Sequence, residues 1–429
     1  MELNIESVYP TFFYALLYVL TLVYLIKGKK QLYVIYIASV WTISAVTAVF
    51  FHSATTFLYK NVSVIPFIYL FSAFAISLWS ISNHKRLTLY EPNDRLYKLL
   101  EKAMCFFIII SIVPFFENLS YVLTTTNSDN STAIADMYDS KMYGGGYKVT
   151  WLSNIGMIFN SINGVFLAFI QFIPFVLLTR ERLGKVFSIL MFLPIATHLL
   201  FQIASSGRGT VVSFLITTVF LLILFKDKIP VQRMKKISFG FVASGGFLLF
   251  AMLIISYARK EATNANTDDS IFFGYYIAKS HLDFNENIWS LSVFTEGDNT
   301  ISFIKDILGL DTFTDFLKKE AYWEPRIGIP AGYFYTFVGD FVMDFGIYIA
   351  GLILFVCPLL LKRYFNKNRD FVTLFWFFVY SRMILMGWTI CNIKTYGAFK
   401  NLIISFILVL IISKYAGDNC LKNNKRQVY

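Results

Sequence analysis

Eleven separate apolar runs, each of 16 residues or more, constrain this chain before any motif does. They cover 8–26, 32–51, 62–82, 103–124, 151–179, 186–204, 210–225, 237–257, 336–361, 371–391 and 398–413. A helix needs about 20 apolar residues to cross about 30 Å of hydrocarbon, and these runs fit that length. Within lipid each backbone N–H and C=O must be satisfied inside its own segment or in a closed barrel. Runs this long and uniform exclude barrel strands. Hydrophobic residues make up 56% of the chain and charged ones 15%, against about 25% charged in a soluble domain. The fold class expected is an all-α polytopic membrane protein of about eleven transmembrane helices.

The net charge of +11 is a topology signal rather than a nucleic-acid one, because no nucleic-acid motif accompanies it. Of the 38 basic residues, 24 fall in one alternating set of short connections. These are 27–30, 84–102, 180–185, 226–236, 362–369 and the tail from Lys414. By the positive-inside rule they are cytoplasmic, so the amino terminus lies outside and the carboxyl terminus inside. The first run follows MELNIES without a basic leader or a small-residue cleavage site, and reads as a retained helix. Cys105, Cys357, Cys391 and Cys420 are scattered without CxxC or Cys/His spacing, which supports neither a disulfide framework nor a structural zinc.

This order divides the chain into an amino-terminal bundle (1–257), a large outer loop (258–335), three carboxyl-terminal helices (336–413) and a basic tail (414–429). A smaller Ser/Thr/Asn/Gly-rich outer loop covers 125–150. The large loop holds 12 acidic and 7 basic side chains in 78 residues. Within it, TISFIKDILG and TFTDFLKKEAYW place apolar residues at helical spacing, which predicts short amphipathic helices on the outer membrane surface.

Charges inside spans are expensive and mark candidate sites. Glu117, His198, Asp340, Asp344 and Arg382 all fall in the outer half of their spans. Arg208 sits in SSGRGT, the tip between two spans. Flanking glycines permit close backbone approach there, and the amide-rich start of the next helix favours an anion. A guanidinium at that tip suits bidentate pairing with phosphate or carboxylate; the plainer reading is an arginine snorkelling to headgroups. Arg259 and Arg326 mark the outer mouths of two further spans.

Three features together resemble the bacterial oligosaccharide repeat-unit polymerases, the O-antigen polymerase (Wzy-type) family, and more distantly the O-antigen ligases. They are the SSGRGT hairpin (205–210), an arginine closing the span before the large loop (Arg259), and the return segment IPAGYFYTFVGDFVMDFGIYIAGL (329–352). The resemblance implies a GT-C-like, metal-independent glycosyltransferase with no cofactor, at the outer face of the bacterial inner membrane. It would join undecaprenyl-diphosphate-linked oligosaccharides en bloc into lipopolysaccharide or capsule, with a chain-length-determining co-polymerase as a possible partner. The return segment PAGYFYTF lacks the histidine typical of the ligases. A lipid-linked oligosaccharide flippase is the alternative from another class.

On that reading Arg208, Arg259 and Arg326 bind the diphosphate or an adjacent sugar, and Arg382 anchors deeper near the prenyl boundary. Glu320, Glu324, Asp340 and His281 are the candidates for removing the acceptor hydroxyl proton. Tyr333 and Tyr335 are candidate sugar-stacking groups, and no metal-binding residues are assigned.

Overall fold

The computed structural model describes residues 5–84, 87, 90–127, 151–205, 208–241, 245–246, 277–331, 335–391 and 393–418. Among these every regular element is a helix. The first nine are α1 (Ile5–Lys27), α2 (Leu32–Ala54), α3 (Val64–Ile81), α4 (Asp94–Asn127), α5 (Asn154–Val165), α6 (Leu167–Leu178), α7 (Lys185–Leu190), α8 (Leu193–Ala204) and α9 (Arg208–Leu224). Residues 231–241 form α10, and residues 277–288 form α11, which ends in the π turn Phe284–Ile288. Then follow α12 (Ser302–Ile307), α13 (Phe316–Ile327), α14 (Thr336–Lys367), α15 (Phe371–Met386) and α16 (Tyr396–Ala416).

Seven of the described segments are long and apolar enough to cross a membrane: α1 to α4, the α7–α8 stretch, α14 and α16. An eighth is α5 with α6, which the sequence reads as one run but which bends by 69° at Phe166. α9 and α15 are shorter apolar helices. The chain is a multi-pass α-helical membrane protein. Most of the 237–257 run, much of the 125–150 loop and the end of the tail lie outside the described residues.

The packing divides the chain across its sequence rather than along it. One compact unit is Met1–Tyr90 with Thr267–Ile403; the other is Glu91–Asn266 with Ile404–Tyr429. In the first, α14 packs on α3. Small residues explain the approach. Gly351 lies against Tyr69, whose hydroxyl donates to the Ile347 carbonyl at 2.8 Å. The Met343 carbonyl, just before a break in α14, accepts from Thr295 N at 2.8 Å, and the break falls at Gly346, where φ is 72°. A side chain there would both strain the backbone and meet the Phe294 ring at 2.8 Å, so only glycine fits. The core of this unit is aromatic: Tyr14 stacks on Phe67 with centroids 4.3 Å apart, and buried Trp41 donates to the Ile384 carbonyl at 2.8 Å.

In the second unit α4 packs on α8 and α5. Asn93 caps the start of α4 by accepting from Leu96 N at 2.8 Å, and Ser153 caps α5 in the same way. At the end that carries the basic connections, Arg180 pairs with Glu101, and Arg233 donates to the carbonyls of Leu178 and Arg180.

Candidate functional site

Several buried ionisable groups of the first unit lie on or near the first two turns of α14. Thr336 N and Phe337 N donate to the carbonyls of Thr389 and Gly387, so the start of α14 is tied to the segment after α15. Gly387 permits this, since a Cβ there would lie 2.4 Å from the Phe337 ring. Arg382 stands one helical turn before Met386, at this same end.

Asp340 is fully buried and pairs with Lys394 at 2.7 Å, and its other oxygen accepts from Cys391 N at 2.8 Å. Asp344, one turn on, holds the turn 295–300. It accepts from the hydroxyls of Thr295 and Thr300 and from the backbone N–H groups of Asn299 and Thr300. Four charge-assisted bonds satisfy a buried carboxylate that lipid would otherwise reject. Asp298, in the same turn, accepts from Lys305, Thr312 and Trp323. Trp323 belongs to α13, so this turn binds the amphipathic helix to the bundle.

α13 begins at Asp315, which caps Lys318 N at 3.0 Å, and ends on Gly328 in the left-handed region at φ 73°. Its inward face is Lys319, Trp323 and Ile327, at i, i+4 and i+8. Lys319 is only 3% exposed and donates to Asn299 Oδ1 at 2.8 Å. Burial, reinforced by the charge of Lys394, pushes its ammonium down to about 8. Glu320 and Glu324 lie on the next face, one turn apart and half-buried. Burial first, and then the Glu324 charge, raises the Glu320 carboxyl above its ordinary value. Glu324 accepts from Ala331 N at 3.2 Å. Arg326 is exposed; it donates to the Tyr322 carbonyl and lies over the Tyr322 ring at 3.6 Å.

Three residues that the sequence offers as working groups are placed as structural ones. His281 is fully buried, with Nδ1 2.9 Å from the Tyr14 hydroxyl and Nε2 2.6 Å from the Ser44 hydroxyl, so neither nitrogen is open to a substrate. Asp340 is engaged on both oxygens. Tyr335 is 1% exposed, donates to the Pro330 carbonyl at 2.7 Å and has Lys394 over its ring at 5.3 Å, which leaves no face for a sugar. Glu320, Glu324 and Arg326 keep accessible surface on a single helix.

Arg208 opens α9, and its side chain lies outside the described residues, as do Arg259 and Tyr333 altogether. Arg208 and Arg259 belong to the second compact unit, Arg326 and Arg382 to the first. Sequence reasoning passed over Lys319 and Lys394. Lys394 had a signal, as the lone charge in the connection between the last two apolar runs. Lys319 had none, because a lysine beside another lysine on an amphipathic helix reads as solvated.

The fold and these buried charges define a multi-pass helical membrane protein with a polar cluster in one unit. No family model, curated protein or solved structure matches the chain.

Proposed function

We propose that the chain is a polysaccharide polymerase of the oligosaccharide repeat-unit kind, a membrane glycosyltransferase of GT-C-like architecture. In this reading the described spans, the two short apolar helices and the 237–257 run make up eleven crossings. The amino terminus and the residues 258–335 then lie outside a bacterial inner membrane. The observation that carries it is that the segment 277–331 is built onto its bundle by polar anchors, and that its helix α13 presents Glu320, Glu324 and Arg326 with accessible surface. Asn285 and Glu286 bond the α2–α3 connection at Ser63 and Asn61, and Ser280 donates to the Trp388 carbonyl at 2.6 Å. A mere connector needs no such fixing; a platform for chemistry does.

The substrates are undecaprenyl-diphosphate-linked oligosaccharides as donor and acceptor. The acceptor hydroxyl oxygen attacks the anomeric carbon of the growing chain, and the bond from that carbon to the diphosphate breaks. The electron pair leaves on the diphosphate oxygen, and the hydroxyl proton passes to Glu320. A carboxyl raised by burial and a like charge is suited to take that proton near neutral pH. The resemblance puts arginines on the diphosphate, Arg208 and Arg259 among them. The resemblance makes the reaction metal-independent and admits a co-polymerase that sets chain length.

A flippase is the second reading, favoured by the buried Asp340–Lys394 pair inside the helical bundle. A deletion strain separates the two. Loss of a polymerase leaves single repeat units on the surface acceptor, whereas loss of a flippase leaves none outside. Full-length polysaccharide from both Arg208→Ala and Arg259→Ala, at normal membrane levels, would refute the diphosphate assignment.

A further inference from the structure

The second unit carries a polar seam that the polymerase reading does not use. Along α4, Ser111, Pro114 and Asn118 recur at i, i+3 and i+7 on the buried face. Along α5, Gly156, Asn160 and Asn163 recur at i, i+4 and i+7. The two helices are pinned face to face at two heights. Asn163 Nδ2 donates to Ser111 Oγ at 2.9 Å, and Glu117 presses on Gly156 so closely that a Cβ there would lie 1.9 Å from its Oε2. Asn160 falls between these two levels.

Every one of these amides and the carboxylate has an atom left over. Asn163 and Asn118 are fully buried and Asn160 is 8% exposed, yet Asn163 Oδ1, Asn160 Oδ1, Asn118 Nδ2 and Glu117 Oε2 have no hydrogen-bond partner among the described residues. The Asn163 and Asn118 amides are oriented by the bonds they do make, to Ser111 and from Trp151 at 2.9 Å. Three of the four leftover atoms are oxygens, and one is a carboxylate with no basic partner among the described residues. A buried polar atom without a partner costs about 1–3 kcal/mol, so four together call for a guest.

The helix break sets the sign of that guest. α5 stops at Val165, two residues past Asn163, and α6 leaves at 69°. The end of a broken half-helix presents the negative pole of its dipole, which attracts cations. Pro114 has no N–H, which deprives the Ile110 carbonyl of its helical donor on the facing strand of the seam. Gly164 adds room, since a Cβ there would meet nothing within 4 Å.

We infer that the α4–α5 seam binds a small hard monovalent cation of sodium's size through Asn160 Oδ1 and Asn163 Oδ1, with Glu117 as the charge-balancing carboxylate. Oxygen ligands at the carboxyl end of a broken helix, with one carboxylate to balance the charge, suit such an ion. The site stands whether or not the chain is a polymerase.

The test is equilibrium binding of radioactive sodium to the purified full-length protein in nanodiscs. Saturable binding is expected, displaced by unlabelled sodium and not by choline. Asn163→Leu, Asn160→Leu and Glu117→Gln should each weaken it at least tenfold. Asn163→Asp, which keeps an oxygen in place, should retain it. No saturable sodium binding by the unmodified protein would mean that the seam holds water only and would overturn the inference. Binding that survives Asn163→Leu, or that is lost in Asn163→Asp, would overturn it equally.

Discussion

Two clusters of buried polar groups, one in each unit, are satisfied to different degrees. In the first, Asp344 takes four donors and Asp340 takes a lysine and a backbone amide, so each charge is spent on holding segments together. In the second, Glu117, Asn118, Asn160 and Asn163 each keep an atom unanswered. In the aspartate cluster the bonds fix the fold; the α4–α5 seam leaves atoms open to a ligand. Within the first unit, Glu320, Glu324 and Arg326 keep accessible surface whereas Asp340 and Asp344 are buried.

The largest effect should come from breaking the first unit's ion pair. Lys394→Met or Asp340→Leu alone leaves a buried charge unpaired and should destabilise by about 3–5 kcal/mol, while the double substitution recovers most of that loss. Thermal unfolding of the single and double variants measures it. A double variant no better than the singles would show that the pair does more than neutralise itself.

Next in size is Asp283, which sits between Tyr59, at 2.9 Å, and Lys279, at 3.4 Å. Burial, against the opposing pull of Lys279, pushes its carboxyl up to about 6. The folded state then holds this proton more tightly than the unfolded one, so its contribution to stability is full below the ordinary carboxylate value. That contribution is lost as pH rises through about 6. Asp283→Asn should flatten the stability profile in that window, by on the order of 2 kcal/mol. An unchanged profile would move the titration elsewhere.

Smaller again is the counter-case in the second unit. In sodium-free buffer, Asn163→Leu removes an unanswered oxygen together with the bond to Ser111 and should cost only about 1 kcal/mol. A loss comparable to that of Lys394→Met would mean that the seam is already satisfied and erase the contrast. The smallest shift concerns Glu320. Glu324→Gln removes a like charge, which lowers the Glu320 carboxyl and moves the acid limb of the polymerisation rate to lower pH.

The sequence made the membrane class legible because apolar length leaves few options. It also made α12 and α13 legible in outline, through the apolar spacing of TISFIKDILG and TFTDFLKKEAYW. What it hid follows from local ambiguity. The break at Phe166 lies inside one long apolar run, where Asn163–Gly164 was the only turn signal. The kink at Gly346 was masked in the same way. The pairing of Lys394 with Asp340, 54 residues away, was hidden because no periodicity encodes it, and Lys319 was hidden because its partner is a neutral amide, Asn299. His281 looked like a base because the hydroxyls of Tyr14 and Ser44 that hold it come from distant helices.

The most direct measurement uses purified protein, a synthetic lipid-diphosphate-linked repeat unit and Glu320→Gln, with product length read on a gel. Polymer from the unmodified chain, and a rate reduced by about 10²–10⁴-fold in the variant, is the result this account predicts. Unimpaired polymer from Glu320→Gln, or no glycan transfer by the unmodified chain, would contradict it.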